Sequence, residues 1–403
     1  RLIARIICGL LTAFDYICSL KPNEMYIHQT KDWPNFSWDK DAINAKLAKV
    51  NKAAGFLAGR LSTIGFDAQM KAAVETLTHD ILASSEIEGV VLNSDQVRSS
   101  VARRMGVHIV GDVEPSHYIE GVVEMMMDAT RKYDQPLTDD RLFGWHNCLF
   151  PTGRSGMAVI NVGKYRMDPM EVVSGTLDRE KVHYQAPSAD VVPFEMKKFL
   201  DWFNADSTPK NYIKSAVAHF WFVSIHPFDD GNGRISRAIA DMALSQADDS
   251  TLRFFSISRQ INKDKRKYND ILERCQKGGC DITLWIDWYL DCMSRAIESA
   301  GEMLSSILDK SIFWQTHSQV VVSDRQKTAL NIYLDGYCGK LNVKNWAKQV
   351  KVSDDTAGRD VKDLVEKGIL IPQPGRVRDV SYGISVSADK TLVPGSNAVN
   401  DVE

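Results

Sequence analysis

A run of twelve residues, His226–Arg237, combines backbone and side-chain features that suit phosphate binding. Its sequence is HPFDDGNGRISR. Gly231, Asn232 and Gly233 tolerate backbone geometry that bulkier residues resist, so consecutive amides can turn inward and form an anion-binding nest. The run leads directly into a predicted helix, whose N-terminus carries partial positive charge and attracts phosphate. These features predict a nucleotide-phosphate site.

Charged side chains in the same run supply what a polyphosphate and a proton transfer require. Arg234 and Arg237 are three residues apart, so they share one helix face and can both reach a polyphosphate. Asp230 is a hard oxygen ligand that suits Mg²⁺, and His226 is the natural general base. A bare GNGR would favour a glycine-rich connection with a capping aspartate and two solvated arginines. The full combination favours the functional interpretation.

The chain resembles the Fic/DOC family. The run fits the signature HPFxxGNGRxxR of Fic-domain proteins at every fixed position. The resemblance covers about residues 32–306, and further similar segments are VVSG at Val172–Gly175, HYQAP at His183–Pro187, FLDWFN at Phe199–Asn204 and LERCQKGGCDITLWIDWYL at Leu272–Leu290.

This resemblance implies a protein adenylyltransferase that uses ATP and Mg²⁺ and moves AMP onto a Ser, Thr or Tyr hydroxyl of a target protein or of itself. His226 would deprotonate the hydroxyl, and Asp230 would hold the metal. The remaining nucleotide-binding residues implied by the resemblance are Gly231, Asn232 and Gly233 as the anion hole, with Arg234 and Arg237 on the β- and γ-phosphates.

Two further parts of the site follow from the resemblance. Tyr268 and Gln276 fall where the family has adenine-contacting residues, and packing of Tyr268 in the helical core is an equal alternative. The irregular segment Pro151–Pro193 is expected to contain a small β-hairpin flap that aligns a target by strand addition. Val182 and Tyr184 would then contact the target.

The segment SSEIEG matches the inhibitory pattern of the family at Ser84, Glu88 and Gly89. A Glu88 carboxylate paired with Arg237 would take the position of the γ-phosphate and misalign ATP. A surface glutamate near a helix C-terminus is the alternative. The nearby Glu86 lies on a different helical face.

Hydrophobic periodicity predicts a mainly α fold. The family resemblance implies that its main part is a Fic-type helical bundle with a small β-hairpin flap, and the order of elements near the C-terminus predicts a winged helix-turn-helix domain. The expected divisions are 1–24 as an upstream leader, 25–110 as a helical region carrying the inhibitory motif, 111–310 as the Fic catalytic domain, 320–386 as the winged helix and 387–403 as a flexible tail. A small N-terminal anchor is the alternative for 1–24. Predicted helices within these divisions include 94–105, 234–246, 262–277 and 282–307.

The predicted winged helix spans residues 323–383, with three helices followed by two strands at 369–373 and 378–384. It holds 11 Lys/Arg and 8 Asp/Glu, so its net charge is 11 − 8 = +3. Its candidate recognition helix, however, opens with Asp354 and Asp355, which would repel DNA phosphates. Docking of a protein partner is therefore the main expectation, and DNA binding is the minor one.

The whole chain, at 403 residues and a net charge of −3, is expected to have no bulk attraction to nucleic acid or membranes. Its seven cysteines are scattered and odd in number, which favours reduced thiols in a cytoplasm. Apolar N-terminal helices leave a homodimer open. Two alternative functions also remain open: removal of AMP by the same site, and a winged-helix regulator whose Fic domain senses a nucleotide.

Overall fold

The computed structural model is mainly helical with a few small antiparallel strand pairs, as the sequence predicts. It describes residues 2–6, 25–109, 111–174, 180–335, 337, 339–374, 380–387 and 390–393, with the backbone alone at 2–6, 303, 304, 306 and 308.

The α-helices of the described chain follow the predicted periodicity closely. They span Lys40–Ser62, Phe66–Ile87, Ser94–Met105, His117–Arg131, Asp139–Leu149, Val192–Asn204, Tyr212–Ile225, Asn232–Asp248, Ile257–Lys263, Lys265–Gln276, Thr283–Thr316, Asp324–Leu334, Val343–Val350 and Asp354–Glu366. Short 3₁₀ turns occupy Ile27–Gln29 and Ala189–Val191.

Local capping sets many of these bounds. The helix Ser94–Met105 begins where the Asn93 side chain accepts from the Gln96 amide at 3.0 Å. It ends at Gly106, which has a left-handed φ of 70°. Both ends agree with the predicted helix, because a capping side chain and a C-terminal glycine satisfy the unpaired backbone groups of helix termini.

Three predicted helices differ from the structure. The helix predicted at 262–277 corresponds to Lys265–Gln276. A separate helix that was not predicted, Ile257–Lys263, precedes it, and Asp264 divides the two by leaving helical geometry at φ −104° and ψ 21°. The helix predicted to end at 307 continues to Thr316. The helix predicted at 234–246 begins earlier, at Asn232, and this change affects the site.

The central helix, Tyr212–Ile225, is buried along its whole length. Its apolar residues share a core with the motif helix, Asn232–Asp248, and with the helix His117–Arg131. The helix Asp139–Leu149 also contributes to this core, through Leu142, Trp145 and Leu149. Because the central helix has no solvent-facing side, the loop that joins it to the motif helix is held by packing from several directions.

Two small antiparallel sheets accompany these helices. Arg154–Ser155 pairs with Ala158–Val159. Met170–Ser174 pairs with Lys181–Gln185, and we call this second hairpin the flap. The backbone of Leu2–Ile6 pairs with the other edge of Met170–Ser174, so part of the segment predicted as a leader lies in the flap sheet. Gly175 lies outside the described residues.

The chain forms two compact units, one of Arg1–Leu57 with Ala73–Ala300 and the other of Ala58–Ala72 with Gly301–Glu403. The predicted division between 25–110 and 111–310 therefore falls inside one unit.

The second unit has a core of its own around Tyr333 and Trp346. Its sheet has three antiparallel strands, Leu370–Pro372, Tyr382–Ser387 and Lys390–Leu392, where the sequence predicted two. The third strand falls inside the predicted flexible tail at 387–403, so that prediction is wrong for these residues; residues 394–403 lie outside the described part. The winged-helix assignment stays a prediction.

Among the helices of the described residues, none combines the length and the hydropathy needed to cross a membrane.

Candidate active site

His226 ends the central helix in a left-handed conformation, with φ 52° and ψ 59°. Its ring Nδ1 lies 3.1 Å from the carbonyl oxygen of Val223. Because a carbonyl oxygen can only accept, Nδ1 carries the proton and Nε2 keeps its lone pair. Burial lowers the pKa of His226 to about 4, and the Arg166 guanidinium acts in the same direction. At neutral pH the imidazole is uncharged and can accept a proton at Nε2.

The glycines of the motif have different physical roles. Gly231 has a φ of 82°, and a Cβ there would lie 2.9 Å from the ring of Phe150, so both conformation and space require glycine. Asn232 and Gly233 are helical, so Gly231 is the one of the three residues that uses its backbone freedom. The amides of a first helical turn have no partner within the helix, so they supply the donors of an anion site.

The Asn232 side chain closes the loop rather than facing a ligand. Its Oδ1 accepts from the Phe228 amide at 2.9 Å, and its Nδ2 donates to the Phe228 carbonyl at 2.7 Å. The Asn232 contribution to an anion hole is therefore limited to its main chain. Phe228 is fully buried, and its ring stacks on the His146 ring at 4.3 Å.

Both carboxylates of the motif, Asp229 and Asp230, line the cavity, and Asp230 is the more exposed of the two. One Asp230 oxygen accepts from the Ser155 hydroxyl and the other from the Gly231 amide at 2.6 Å. The adjacent Asp229 is 3% exposed and accepts from both the backbone and side-chain amides of Asn161, at 2.8 and 3.0 Å. Asp229 therefore fastens the loop, whereas Asp230 is placed to meet a ligand.

The two motif arginines are buried on the same helix but have different partners. The Arg234 guanidinium lies 4.9 Å from the centre of the Phe150 ring and donates to the Tyr118 hydroxyl at 2.9 Å. Arg237 is 2% exposed and faces the helix Phe66–Ile87. Both carry a buried nitrogen without a hydrogen-bond partner, Nε of Arg234 and Nη1 of Arg237. Both therefore retain donor capacity.

Glu88 and Ser84 converge on Arg237. The Glu88 Oε1 accepts from Arg237 Nη2 at 2.8 Å. Ser84 accepts twice, at its hydroxyl from Nε at 2.9 Å and at its carbonyl from Nη2 at 2.8 Å. A Cβ on Gly233 would lie 2.1 Å from Glu88 Oε1, so this carboxylate rests against the first turn of the motif helix. An anion from the chain itself thus lies at the helix N-terminus.

The helix carrying Glu88 is held at several further points. Gly89, with φ 80°, ends the helix by donating to the Glu86 carbonyl at 2.9 Å. The Glu86 carboxylate accepts from the Asn262 side chain at 2.8 Å, away from Arg237. Lys265 donates to the Ile87 carbonyl, and Asp80 accepts from Ser258 at 3.1 Å. These contacts hold the backbone on either side of Glu88 in place.

A cavity of about 710 Å³ lies beside these residues, within the size range of small-molecule sites. His226, Asp230 and Glu88 line it, as do Tyr268 and Gln276. Both of the latter are 4% exposed: the Tyr268 hydroxyl is 3.1 Å from His219 Nε2, and Gln276 donates to the Ser224 hydroxyl at 3.1 Å. Tyr268 is both a core residue and a cavity wall, so the two alternatives for it are compatible.

The prediction that Tyr184 contacts a target is wrong. The side chain is 1% exposed, and its hydroxyl donates to the Ser224 carbonyl at 2.7 Å. It packs with Tyr26, Met170 and Ala186 in a small apolar cluster of its own. Val182 is half-buried on the same strand, and its role stays a prediction.

Several residues at the site carry no local sequence signal. His146 accepts from the Gly163 amide at 3.2 Å through Nδ1 and donates to the Asp230 carbonyl at 3.1 Å through Nε2. Ser155 contacts the Asp230 carboxylate, and Arg166 contacts the main chain of His226. The segments that contain them are separated from the motif by dozens of residues, so spacing alone could not find them.

Comparison with known sequences identifies two regions of the chain. Residues 136–244 match the profile of the Fic/DOC family, and residues 26–107 match that of a domain of unknown function, DUF4172. The first match contains the motif at His226–Arg237, and the second contains Ser84, Glu88 and Gly89.

Curated relatives bear the name protein adenylyltransferase Fic. The protein from Culex quinquefasciatus is 28% identical over 246 residues, which cover 59% of this chain and 44% of the relative. That from Drosophila willistoni is 31% identical over 140 residues, 33% of this chain and 26% of the relative. The chain therefore spans less than half the length of these relatives.

A solved structure supports the fold. The crystal structure of a Fic family protein from Desulfovibrio desulfuricans G20 superposes with a TM-score of 0.50 at 19% identity, covering 87% of this chain and 97% of the other. At this identity the similarity concerns the fold alone.

Proposed function

Because residues 136–244 match the Fic/DOC family profile, we propose that the chain is a protein adenylyltransferase. It transfers AMP from ATP to a hydroxyl group of a protein, either a target or itself. The observation that carries the proposal is the grouping of a neutral His226, the Asp230 carboxylate and the first turn of the motif helix around one cavity.

His226 is the general base of the proposed reaction. Its Nε2 takes the proton of the attacking hydroxyl, and the hydroxyl oxygen forms a bond to the α-phosphorus while the bond to the β-phosphate oxygen breaks and pyrophosphate leaves. The Val223 carbonyl fixes the tautomer that this step needs. Positioning and electrostatics carry most of the rate in such transfers, so the rigid loop is as important as the base.

The phosphates bind at the N-terminus of the motif helix in this proposal. The main-chain amides of Asn232 and Gly233 face the α- and β-phosphates, and the Gly231 amide joins them once it exchanges its contact with Asp230 Oδ1 for a phosphate oxygen. Arg234 and Arg237, which retain unpaired donors, bind the β- and γ-phosphates. Tyr268 and Gln276 form the adenine end of the cavity, where a buried aromatic ring and an amide offer stacking and a hydrogen bond.

Mg²⁺ would be held by Asp230. Among the described residues no group of three or more His, Cys, Asp or Glu side chains could hold a metal ion. A single carboxylate beside a phosphate site suits Mg²⁺, which binds proteins through one or two carboxylates and takes substrate phosphates and waters as its other ligands. When bound, the metal would neutralise phosphate charge.

Glu88 holds this site in a low-activity state in the proposal. Its carboxylate engages the arginine that would bind the γ-phosphate and lies against the helix N-terminus. ATP would have to displace the carboxylate or bind with its phosphates shifted, and a shifted α-phosphate is not aligned with the attacking hydroxyl.

The test uses ATP labelled at its α-phosphate with the full chain, alone and in a cell lysate. Glu88→Gly is expected to raise protein labelling, and adding His226→Ala to it is expected to abolish labelling while ATP still binds. Glu86→Gly is the matched control, since Glu86 contacts Asn262 instead of Arg237. Labelling that survives His226→Ala would exclude His226 as the base.

The same experiment separates the two alternative functions. An enzyme that removes AMP would release label from a protein modified beforehand, and wild-type chain would do so better than Glu88→Gly. A regulator that only senses nucleotide would bind ATP without labelling any protein. The sensing outcome is not expected, because His226, Asp230 and both arginines are all present at one site. The same residues would serve addition and removal of AMP alike, so the direction in which the label moves decides between those two.

The C-terminal unit is proposed to be a winged helix that docks a protein partner. Asp354 and Asp355 are exposed at the start of the helix Asp354–Glu366, which disfavours contact with DNA phosphates. Binding of the full chain to duplex DNA in low salt would contradict this.

Among the described residues Cys148, Cys275, Cys280 and Cys292 are free thiols, which supports a reducing compartment such as the cytoplasm.

A further inference from the structure

Arg166 is a buried arginine that the proposed chemistry does not use. It is 2% exposed and lies in the irregular segment between the strand Ala158–Val159 and the flap. Burying a guanidinium is costly unless its donors are satisfied. The partners of Arg166 therefore indicate its role.

These partners are main-chain carbonyls from three separate stretches. Arg166 Nε donates to the His226 carbonyl at 2.8 Å, and Nη1 donates to the Asp168 carbonyl at 2.9 Å. Nη2 donates to the carbonyl of Pro187, just after the second flap strand. The Arg166 amide also donates to the Pro227 carbonyl at 2.9 Å. One side chain thus joins both ends of the flap to the residue that carries the base.

The backbone of His226 needs such support. A left-handed φ is uncommon for residues other than glycine and persists only where the surroundings stabilise it. Pro227 has no backbone N–H, so it cannot donate a hydrogen bond that would help to hold His226 in this conformation. Arg166 binds on both sides of this peptide group, at the carbonyls of His226 and Pro227.

Arg166 also places a positive charge near the imidazole. Among the charged groups that face His226, Arg166 disfavours its protonated form, whereas Asp230 and Glu88 favour it. The guanidinium of Arg166 thus holds the main chain of His226 through a hydrogen bond, and its positive charge lowers the pKa of the His226 ring. A lysine would keep the charge, but it would lose the planar fork that reaches separate carbonyls.

We propose that Arg166 is a positioning residue that fixes the distance and orientation between the flap and His226. The inference rests on the proposed function, since it assigns the flap to a target and His226 to proton transfer. Its consequence is that a target hydroxyl aligned by the flap arrives at Nε2 without a separate adjustment of the loop.

The test compares Arg166→Gln and Arg166→Lys in full-length Glu88→Gly protein. We expect Arg166→Gln to lower kcat by about 100-fold, the loss typical of a misplacement near 1 Å, with the KM for ATP unchanged. Arg166→Lys is expected to lower kcat as well. In NMR titrations of the histidine rings the pKa of His226 should rise in Arg166→Gln and stay near its parent value in Arg166→Lys.

Arg141→Gln is the matched control. Arg141 is also a largely buried arginine that donates to main-chain carbonyls, at Asp128 and Lys132 with distances of 2.8 and 2.9 Å, but it lies in the helix Asp139–Leu149 away from His226. Its loss should lower Tm without changing kcat per folded molecule or the His226 titration.

The outcomes separate this inference from the proposed function. An unchanged kcat and an unchanged His226 titration in folded Arg166→Gln would overturn it. If Arg166→Gln fails to fold, Arg166→Lys decides, and a kcat equal to that of the parent would overturn the inference. Absence of labelling in the Glu88→Gly parent would instead contradict the adenylyltransferase proposal. The His226 titration and the Tm comparison would still test Arg166 in that case.

Discussion

The carboxylate of Glu88 lies 2.8 Å from Nη2 of Arg237, and it occupies the space that a side chain on Gly233 would need. One anion is therefore shared between a buried arginine and the first turn of the motif helix. Both partners are groups that bind phosphate in proteins. The contact explains why the position after Asn232 is glycine although its backbone is helical.

Loss of the Ser84 hydroxyl is expected to activate the enzyme. Ser84→Ala removes the acceptor of Arg237 Nε, and a hydrogen bond to a charged group contributes about 1.5–3 kcal/mol, so labelling from ATP should rise by about 10- to 150-fold. Ser85→Ala is the matched control, because the Ser85 hydroxyl is buried without a partner. Equal labelling by the two variants would remove Ser84 from the inhibitory contact.

Gly233 and Glu88 should be energetically coupled. In wild-type protein Gly233→Ala places a Cβ against the Glu88 carboxylate, so the free energy of unfolding should fall by about 1–3 kcal/mol. In Glu88→Gly protein the same change should be neutral or stabilising by up to about 1 kcal/mol, because alanine favours helices. Urea unfolding of the four proteins gives the coupling energy. Additive effects would mean that the two residues do not share this space.

Asp230→Asn should raise the Mg²⁺ concentration needed for half-maximal labelling by an order of magnitude or more. An amide still accepts from Ser155 but binds the ion more weakly than a carboxylate. Asp229→Asn should leave the Mg²⁺ dependence intact and lower Tm, since Asp229 anchors Asn161. If Asp229→Asn raised the required Mg²⁺ concentration and Asp230→Asn only lowered Tm, Asp229 would be the metal ligand.

Acid should destabilise the fold through buried neutral histidines. Burial lowers the pKa of His146 to about 4 from an ordinary value of 6.5. Between these values the unfolded chain binds a proton that the folded chain does not, so each such histidine lowers the free energy of unfolding by about 1.4 kcal/mol per pH unit as pH falls. The contribution of a buried neutral histidine to the free energy of unfolding is fully present above pH 6.5 and is lost as the pH falls towards 4.

Urea unfolding at pH 7 and pH 5 measures this effect. His146→Gln should be less stable than wild type at pH 7 but should lose less stability on acidification. His117→Gln, at an exposed position, should follow the wild-type pH dependence. If all three proteins lose the same free energy between the two pH values, His146 does not contribute.

Sequence reasoning predicted the parts of the molecule that depend on local signals. Caps such as Asn93 and Gly106 give the helix Ser94–Met105 its bounds, and the contiguous motif identified His226 and Asp230. The contact between Glu88 and Arg237 was also foreseen, because the family resemblance supplied a partner 149 residues away.

Other features depend on tertiary packing and were missed. The face of a flap strand that turns inward is decided by what packs beneath it, so Tyr184 was assigned to the wrong side. Arg166 contacts a carbonyl 60 residues away, and a carbonyl has no side-chain identity that a sequence pattern could match. The break at Asp264 reflects the backbone of one residue inside an otherwise helical periodicity.

The pairing of Glu88 with Arg237 joins two positions of a single polypeptide, and this determines how the resting state responds to its surroundings. A tethered group has a fixed effective concentration, so dilution of the protein cannot release it. Under the proposed function, dilution alone therefore does not relieve the inhibition by Glu88. The inhibition should respond to ligands that compete for Arg237 and to displacements of the helix Phe66–Ile87 that precedes Glu88.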